Sequence, residues 1–382
     1  MKVCILANQI LGNRISSGGD VLSFEILSRL MCTSYTFAPL IVKEEILKQI
    51  PQTKFISTDN SFIVPETGII GGITIIILYV LRTISTVVKI RKAVDIDIVY
   101  LTGDFFPNTV PALIIKLICP RSRVIGNFYH LNPSPWKRKY GSFYSNLASR
   151  ILQAFSLKLL RSYSDTIFVL SPVGRKTLID KGFDVRKVFI TGGGVNTKKI
   201  KESPIITRRY DALFVGRLNK TKGVKNLIKI IDEVRCTYKN FKLAAIGISS
   251  KSELNEIRQE LASNGLSKYF IYRGFVSDKQ KFSLMKSTPV LILPSEEEGL
   301  SLVVIEAIAC GMIACVYDLD VFRSIYKNGN RQVLFSRKGD IDQMAENVIR
   351  GLSMWPVNAR VKTLSWDTVA NKQFNIINGI TK

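Results

Sequence analysis

The chain has 382 residues, enough for two average domains, and its 46% hydrophobic content excludes a disordered polymer. Fifty-four basic against 30 acidic residues leave a net charge of +24. The excess is spread along the chain, with 27 basic and 13 acidic residues up to position 207 and 27 and 17 beyond it. A basic tail is therefore excluded, and a field of that sign favours anionic partners such as nucleotides, phospholipid headgroups or nucleic acid.

The first apolar run stops at Asn8-Gln9. It is too short for the apolar core of a secretory signal and reads as a strand over residues 3–7. The turn Ser16-Ser17-Gly18-Gly19-Asp20 then leads into a helix expected over 20–31. Gly18 and Gly19 would let backbone amides approach an anion at a helix N-terminus. A plain Gly-Gly turn before an Asp N-cap has the same spelling, and no Gly-x-Gly-x-x-Gly fingerprint is present. Strands follow at 37–42 and 54–57. Gly68 to Leu81 is the most apolar stretch, followed by Arg82, Lys89, Arg91 and Lys92; its 14 residues fall short of a bilayer span of about 20. A buried helix of a large α/β domain is the first expectation for it, and a helix end dipping into a membrane surface the second.

Helical period continues over 83–94, then strands at 96–101 and 123–128, a helix at 142–163, and strands at 166–170 and 188–191. The single histidine, His130, follows the 123–128 strand. A lone histidine is more often a structural hydrogen-bonding residue than a catalytic one. After it come Trp136, Lys137, Arg138, Lys139 and Tyr140. A basic triplet between aromatic residues is what an anionic membrane interface attracts, at about 1 kcal/mol per basic residue. An exposed basic loop of no consequence is the plainer reading. The six cysteines form no Cys-x-x-Cys pair, so reduced thiols in a cytoplasmic protein are expected, and no metal site.

Gly192-Gly193-Gly194-Val195-Asn196 and the polar stretch to Arg209 interrupt the strand–helix rhythm. The expected boundary lies there, with a first domain over 1–200 and a second over 208–360. Strands restart at 212–216, 243–247, 270–273, 290–293, 313–317 and 332–335. This alternation predicts an α/β protein of two doubly wound parallel sheets, with ligands at the strand C-termini. Arg217 and Lys222 leave the tip of the 212–216 strand five residues apart, so both can reach one diphosphate, although a solvated basic turn has the same spelling. After the 290–293 strand the chain reads Pro294-Ser295-Glu296-Glu297-Glu298-Gly299-Leu300-Ser301-Leu302 and runs on to Glu306 among aliphatic residues. A carboxylate in such a helix requires a partner. Amides near Gly299, Leu300, Ser301 and Leu302 would hold phosphate while Glu298 and Glu306 accept bonds from sugar hydroxyls; a capping acid with a buried but satisfied glutamate is the plainer alternative.

These motifs resemble the group 1 glycosyltransferases (family 4). The residues that carry the resemblance are Glu298 and Glu306 with their Pro294-Ser295 lead-in, Val215-Gly216-Arg217-Leu218 with Lys222-Gly223, and Gly18-Gly19. The likeness covers 210–318 closely and the first half more loosely. It implies the GT-B fold, two Rossmann-like domains facing across a cleft, with a helix from about 366 to 382 returning to the first domain. It also implies a retaining, metal-independent hexosyltransferase that needs no cofactor and uses a nucleotide-diphosphate sugar as co-substrate. Glu306 would then bind the ribose, Glu298 the transferred sugar, and Arg217, Lys222 and the Gly19 amide the leaving diphosphate, with His130 beside the donor sugar. The chain departs from the family at Leu319-Asp320, where a Gly-Gly turn is usual, and at Gly192-Gly193-Gly194. Because the basic triplet and the apolar stretch share the acceptor half, a polyprenyl-linked, glycolipid or growing-glycan acceptor is expected. It would be reached from the inner face of the membrane by a cytoplasmic, peripheral protein that binds no nucleic acid. A GT-B epimerase or phosphorylase, or a non-catalytic basic protein binding membrane or nucleic acid, stays open as the alternative.

Overall fold

A computed structural model describes the chain apart from residues 12–14, 16, 31, 60–67, 91–94, 137, 139–142, 327–329, 357–362 and 382, and gives only the backbone for 68–72, 380 and 381. Two compact units divide it: Met1–Gly193 with Trp366–Lys382, and Gly194–Ser365.

The first unit holds seven strands: β1 (Lys2–Leu6), β2 (Thr33–Ala38), β3 (Thr53–Ser57), β4 (Ile98–Leu101), β5 (Arg123–Phe128), β6 (Thr166–Val169) and β7 (Val188–Ile190). All are parallel, in the order β3-β2-β1-β4-β5-β6-β7. Period-two alternation sends Val3 and Ile5 of β1 to one face and Cys4 and Leu6 to the other. The first face is covered by α1 (Gly18–Leu27), α2 (Lys43–Gln49) and α14 (Trp366–Thr381), through Phe24, Ile46 and Ile377. The second is covered by α4 (Phe106–Ile118), α5 (Phe143–Tyr163) and α6 (Pro172–Asp180), through Ile115, Leu160 and Leu178. α14 is tied to the segment just past α1 by an Arg29–Asp367 ion pair of 2.6 Å, and its Gln373 accepts from the buried Tyr100 hydroxyl at 3.1 Å.

Two boundaries differ from expectation for local reasons. β2 runs from Thr33 to Ala38, not from 37 to 42, because Pro39 has no amide to donate and Leu40–Val42 wind into a 3-10 turn. α1 begins at Gly18, before Asp20, because Ser17 Oγ accepts the Asp20 amide at 3.1 Å and caps the helix.

The apolar stretch corrects the first expectation. It forms one 22-residue helix, α3 (Gly68–Lys89), joined without a break to the helix expected from 83. It is not buried all round. Its inner face is partly polar: Arg82, 1% exposed, pairs with Asp59 at 2.7 Å and donates to the carbonyls of Asn8 and Ile10. Tyr79 donates to the Gln9 carbonyl at 2.9 Å, and Thr86 accepts from Asn8 at 3.0 Å. Ile73, Ile77, Val80, Leu81, Ile84 and Val88 are 43–68% exposed. At about 100° per residue these six fall within an arc of roughly 100°, opposite Arg82. No helix among the described residues is long and apolar enough to cross a membrane.

The second unit holds β8 (Ala212–Val215), β9 (Leu243–Ile246), β10 (Phe270–Gly274), β11 (Val290–Leu293), β12 (Ile313–Tyr317) and β13 (Val333–Ser336), all parallel in the order β10-β9-β8-β11-β12-β13. Its helices are α7 (Thr197–Glu202), α8 (Val224–Thr237), α9 (Lys251–Ser263), α10 (Asp278–Lys286), α11 (Leu302–Ala309), α12 (Asp320–Tyr326) and α13 (Ile341–Met354). The division falls at Gly193/Gly194, earlier than the expected 200, because α7 is bound to α10. Lys286 donates to the Ile200 and Ser203 carbonyls at 3.2 and 2.6 Å, and Lys199 pairs with Asp278 at 2.7 Å. All six cysteines are free thiols.

Candidate active site

In both sheets the strand order reverses beside the first strand, since β1 lies between β2 and β4 and β8 lies between β9 and β11. Loops leaving the carboxyl ends of such neighbouring strands diverge and open a crevice, where open α/β sheets bind ligands. In the second unit these loops are residues 216–223 and 294–301. They carry Arg217, Lys222, Glu298, Gly299, Leu300 and Ser301, while Leu302 and Glu306 stand on α11 directly behind them.

The 216–223 loop is shaped by Asn219, whose carboxamide oxygen accepts the Lys222 amide at 3.2 Å and starts a 3-10 turn. Gly223 closes that turn at φ +71°, and a Cβ there would lie 1.9 Å from the Pro294 carbonyl oxygen. Only glycine lets the two loops approach so closely. They are joined by the Glu296 amide donating to the Thr221 carbonyl at 3.0 Å. They are joined again by the Lys222 ammonium, 2.6 Å from the Glu298 carboxylate. The Glu298 side chain is only 8% exposed, so Lys222 balances a carboxylate largely withdrawn from water. Arg217, on the same loop, is exposed and makes no side-chain bond among the described residues.

Ser301 sits at φ +64° and does not cap α11 with its side chain, so the first amides of that helix lack a side-chain partner. Glu306 has the partner its aliphatic surroundings require, Lys281 of α10 at 2.7 Å. Lys281 in turn lies 3.6 Å from Asp278, which holds Lys199. Burial pushes the Lys281 ammonium down, but Glu306 and Asp278 outweigh it and leave its pKa above the usual lysine value. Sequence reasoning missed Lys281, because no spacing rule links it to a glutamate 25 positions later. Where the family turn is replaced, Asp318 pairs with Arg323 in the last turn of α12.

The remaining expected residues belong to the first unit. Gly18 and Gly19 lie in the first turn of α1, not in a loop. A Cβ on Gly19 would lie 2.4 Å from the ring of Tyr129, whose hydroxyl bonds Ser23 at 2.6 Å and the Thr102 carbonyl at 2.5 Å. His130 is exposed just past β5, and its carbonyl accepts from Gln153 at 2.9 Å. The same Gln153 amide donates to Asp104 at 2.8 Å; burial lifts this carboxyl to about 6. Asp104 was not singled out by the sequence. Trp136 is exposed and packs edge-on against Phe143 at 5.2 Å. Arg138 is half-buried and donates to Asn146 at 3.1 Å, whereas Lys137 and Lys139 lie outside the described residues. Among the described residues no three His, Cys, Asp or Glu side chains gather as metal ligands would.

The family model for glycosyl transferases group 1 matches residues 195–363. An uncharacterised glycosyltransferase of Methanocaldococcus jannaschii is 24% identical over 298 residues, 73% of this chain and 70% of that protein. The phosphatidyl-myo-inositol mannosyltransferase of Mycobacterium tuberculosis is 26% identical over 173 residues, 42% of this chain and 44% of the relative. The crystal structure of Anabaena HepE in complex with UDP superposes with a TM-score of 0.75 at 13% identity, covering 99% of this chain and 100% of that one. That likeness establishes the GT-B fold of two Rossmann-like units. The segment that matches the group 1 glycosyltransferases, 195–363, lies within the second unit, the one that bears the paired loops.

Proposed function

We propose that the protein is a retaining, metal-independent transferase that moves a sugar from a nucleotide diphosphate to a lipid-linked acceptor or a growing glycan. The observation that carries this reading is the Lys222–Glu298 contact across the two loops of the second unit, with Arg217 exposed on the first of those loops. Without donor, the ammonium and the carboxylate neutralise one another in place. On donor binding, the diphosphate would take Lys222 and the sugar hydroxyls would take Glu298. Each partner exchanges one charge-assisted bond for another, and neither has to be desolvated afresh. Arg217 would fork onto the same diphosphate, and the uncapped amides of α11 would add the favourable end of a helix dipole.

Glu306, held by Lys281, is assigned to the ribose hydroxyls; Gly19 and His130 of the first unit are assigned to the diphosphate and the transferred sugar. Stabilising a departing diphosphate with fixed cations and amides is the electrostatic work a divalent metal performs elsewhere. The acceptor is assigned to the first unit, and the enzyme to the inner face of the membrane as a peripheral protein. In support, one relative is named a phosphatidyl-myo-inositol mannosyltransferase.

A thermal-shift screen of nucleoside diphosphates and their sugars tests the reading. One base should raise the melting temperature selectively, with about 2.7 kcal/mol of stabilisation at a ligand concentration of roughly 100 Kd. Arg217→Ala should abolish that rise. A screen with no selective ligand, or an unchanged shift in the variant, overturns the assignment.

A further inference from the structure

α3 is amphipathic in the inverted sense. Its one buried charge, Arg82, points into the protein, and six large aliphatic side chains form the stripe that faces outward. A helix in contact with water alone is expected to do the reverse. The stripe is not isolated. α3 packs against both α4 and α5, and α4 packs against α5. The C-terminal end of α4 carries Leu117 and Ile118, at 71% and 63% exposure, and α5 exposes Ile151 and Phe155. With Trp136, Phe143 and Tyr144 before and at the start of α5, this layer holds 13 of the 22 exposed large apolar side chains among the described residues. Monomers seldom gather so many exposed apolar side chains on one layer of helices without a use for them.

Charge selects the partner. No Asp or Glu occurs from 67 to 94 or from 105 to 164, whereas those two stretches hold 13 Lys and Arg residues. They comprise α3, α4, α5 and the segments leading from them. Arg121, Lys158 and Arg161 are exposed there. Two copies of one acid-free basic face repel each other, which disfavours a homodimer through it. Arg82 is neutralised by Asp59, and Lys116 and Arg123 by Asp165, but helices that expose aliphatic side chains with Arg121, Lys158 and Arg161 and carry no Asp or Glu of their own suit an anionic lipid surface.

We infer that the α3–α4–α5 layer of the first unit docks on an anionic phospholipid bilayer, with α3 lying in the interfacial plane and its stripe from Ile73 to Val88 sunk into the headgroup boundary. The inference deepens the peripheral-membrane reading above and moves its centre from the Trp136 loop to α3.

Flotation of the full chain with vesicles of phosphatidylglycerol and phosphatidylcholine, and of phosphatidylcholine alone, tests it. The protein should float with the anionic vesicles and much less with the neutral ones. An Ile77→Glu/Ile84→Glu variant should lose at least about tenfold in partitioning, because two apolar anchors become charges of the membrane's own sign. Ile73→Ser/Ile84→Ser gives a second, uncharged variant should the first fail to fold, and its partitioning should fall as well. A wild-type chain that stays in solution, or folded variants that float equally well, overturns the inference. So does light scattering that finds a wild-type dimer which these variants split. Nucleoside-diphosphate thermal shifts on the same samples keep the two readings apart. A missing shift with intact flotation removes only the transferase assignment, and an intact shift without flotation removes only the docking face.

Discussion

Lys222, Glu298, Lys281 and Glu306 make two lysine–carboxylate pairs within one unit, and the two pairs differ in how far the sequence reveals them. Lys222 and Glu298 could be named because each stands beside a glycine at a strand tip, Gly223 and Gly299, where a loop must turn. That Glu306 needs a partner follows from its aliphatic neighbours, but which residue supplies it depends on where α10 lies. Asp104 was silent for a similar reason, since nothing local marks it as buried. Its environment has a measurable consequence. A carboxyl lifted from 3.8 to about 6 in the folded state favours folding fully only below about pH 4, and that contribution is lost as pH rises through 6. The accumulated loss is about 3 kcal/mol. Asp104→Asn should therefore match the wild type near pH 4 and exceed it by up to about 3 kcal/mol near pH 8. Urea midpoints at the two pH values check this, and an equal effect at both would show that Asp104 does not titrate in this way.

Among the elements, α3 departs furthest from expectation. Apolar residues occupy most of its positions, so periodicity does not say which face turns inward or that Arg82 lies on that face. The decision is made by Asp59, by the carbonyls of Asn8 and Ile10, and by Asn8 and Gln9 meeting Thr86 and Tyr79. These groups lie up to 78 positions away in sequence and at the carboxyl end of β1 in space. Asp59→Ala would leave the Arg82 guanidinium buried without its counter-charge, and removing one partner of such a pair costs about 3–5 kcal/mol. The expected loss is read from denaturant unfolding. A change below about 1 kcal/mol would mean that the two carbonyls alone hold α3.

For the whole molecule, α14 returns to the unit where the chain began. Trp366, Val369 and Ile377 are buried, so deleting residues 366–382 would expose α1 and the adjoining sheet face. At about 1.5–3 kcal/mol per large apolar side chain, the first unit should lose at least about 4 kcal/mol. Hydrogen exchange should report faster opening across β1, β2 and β4 and unchanged protection across β8 to β13. Equal loosening of both units would contradict the division of the chain into two cores.

Twelve of the thirteen strands and the two-sheet architecture were legible from residue order alone, whereas β2 was expected four residues too late. Buried parallel strands are continuous runs of β-branched and aliphatic residues, and turns announce themselves through glycine and proline. The loops with Arg217, Lys222 and Glu298 were legible for the same reason, since switch-point chemistry follows from strand order. Only the tertiary structure decided that Lys222 meets Glu298, that Lys281 meets Glu306, that α7 belongs with α10, and that α3 turns its aliphatic side outward. Each of these is a contact between groups remote in sequence, where burial and charge pairing, not local propensity, determine the outcome.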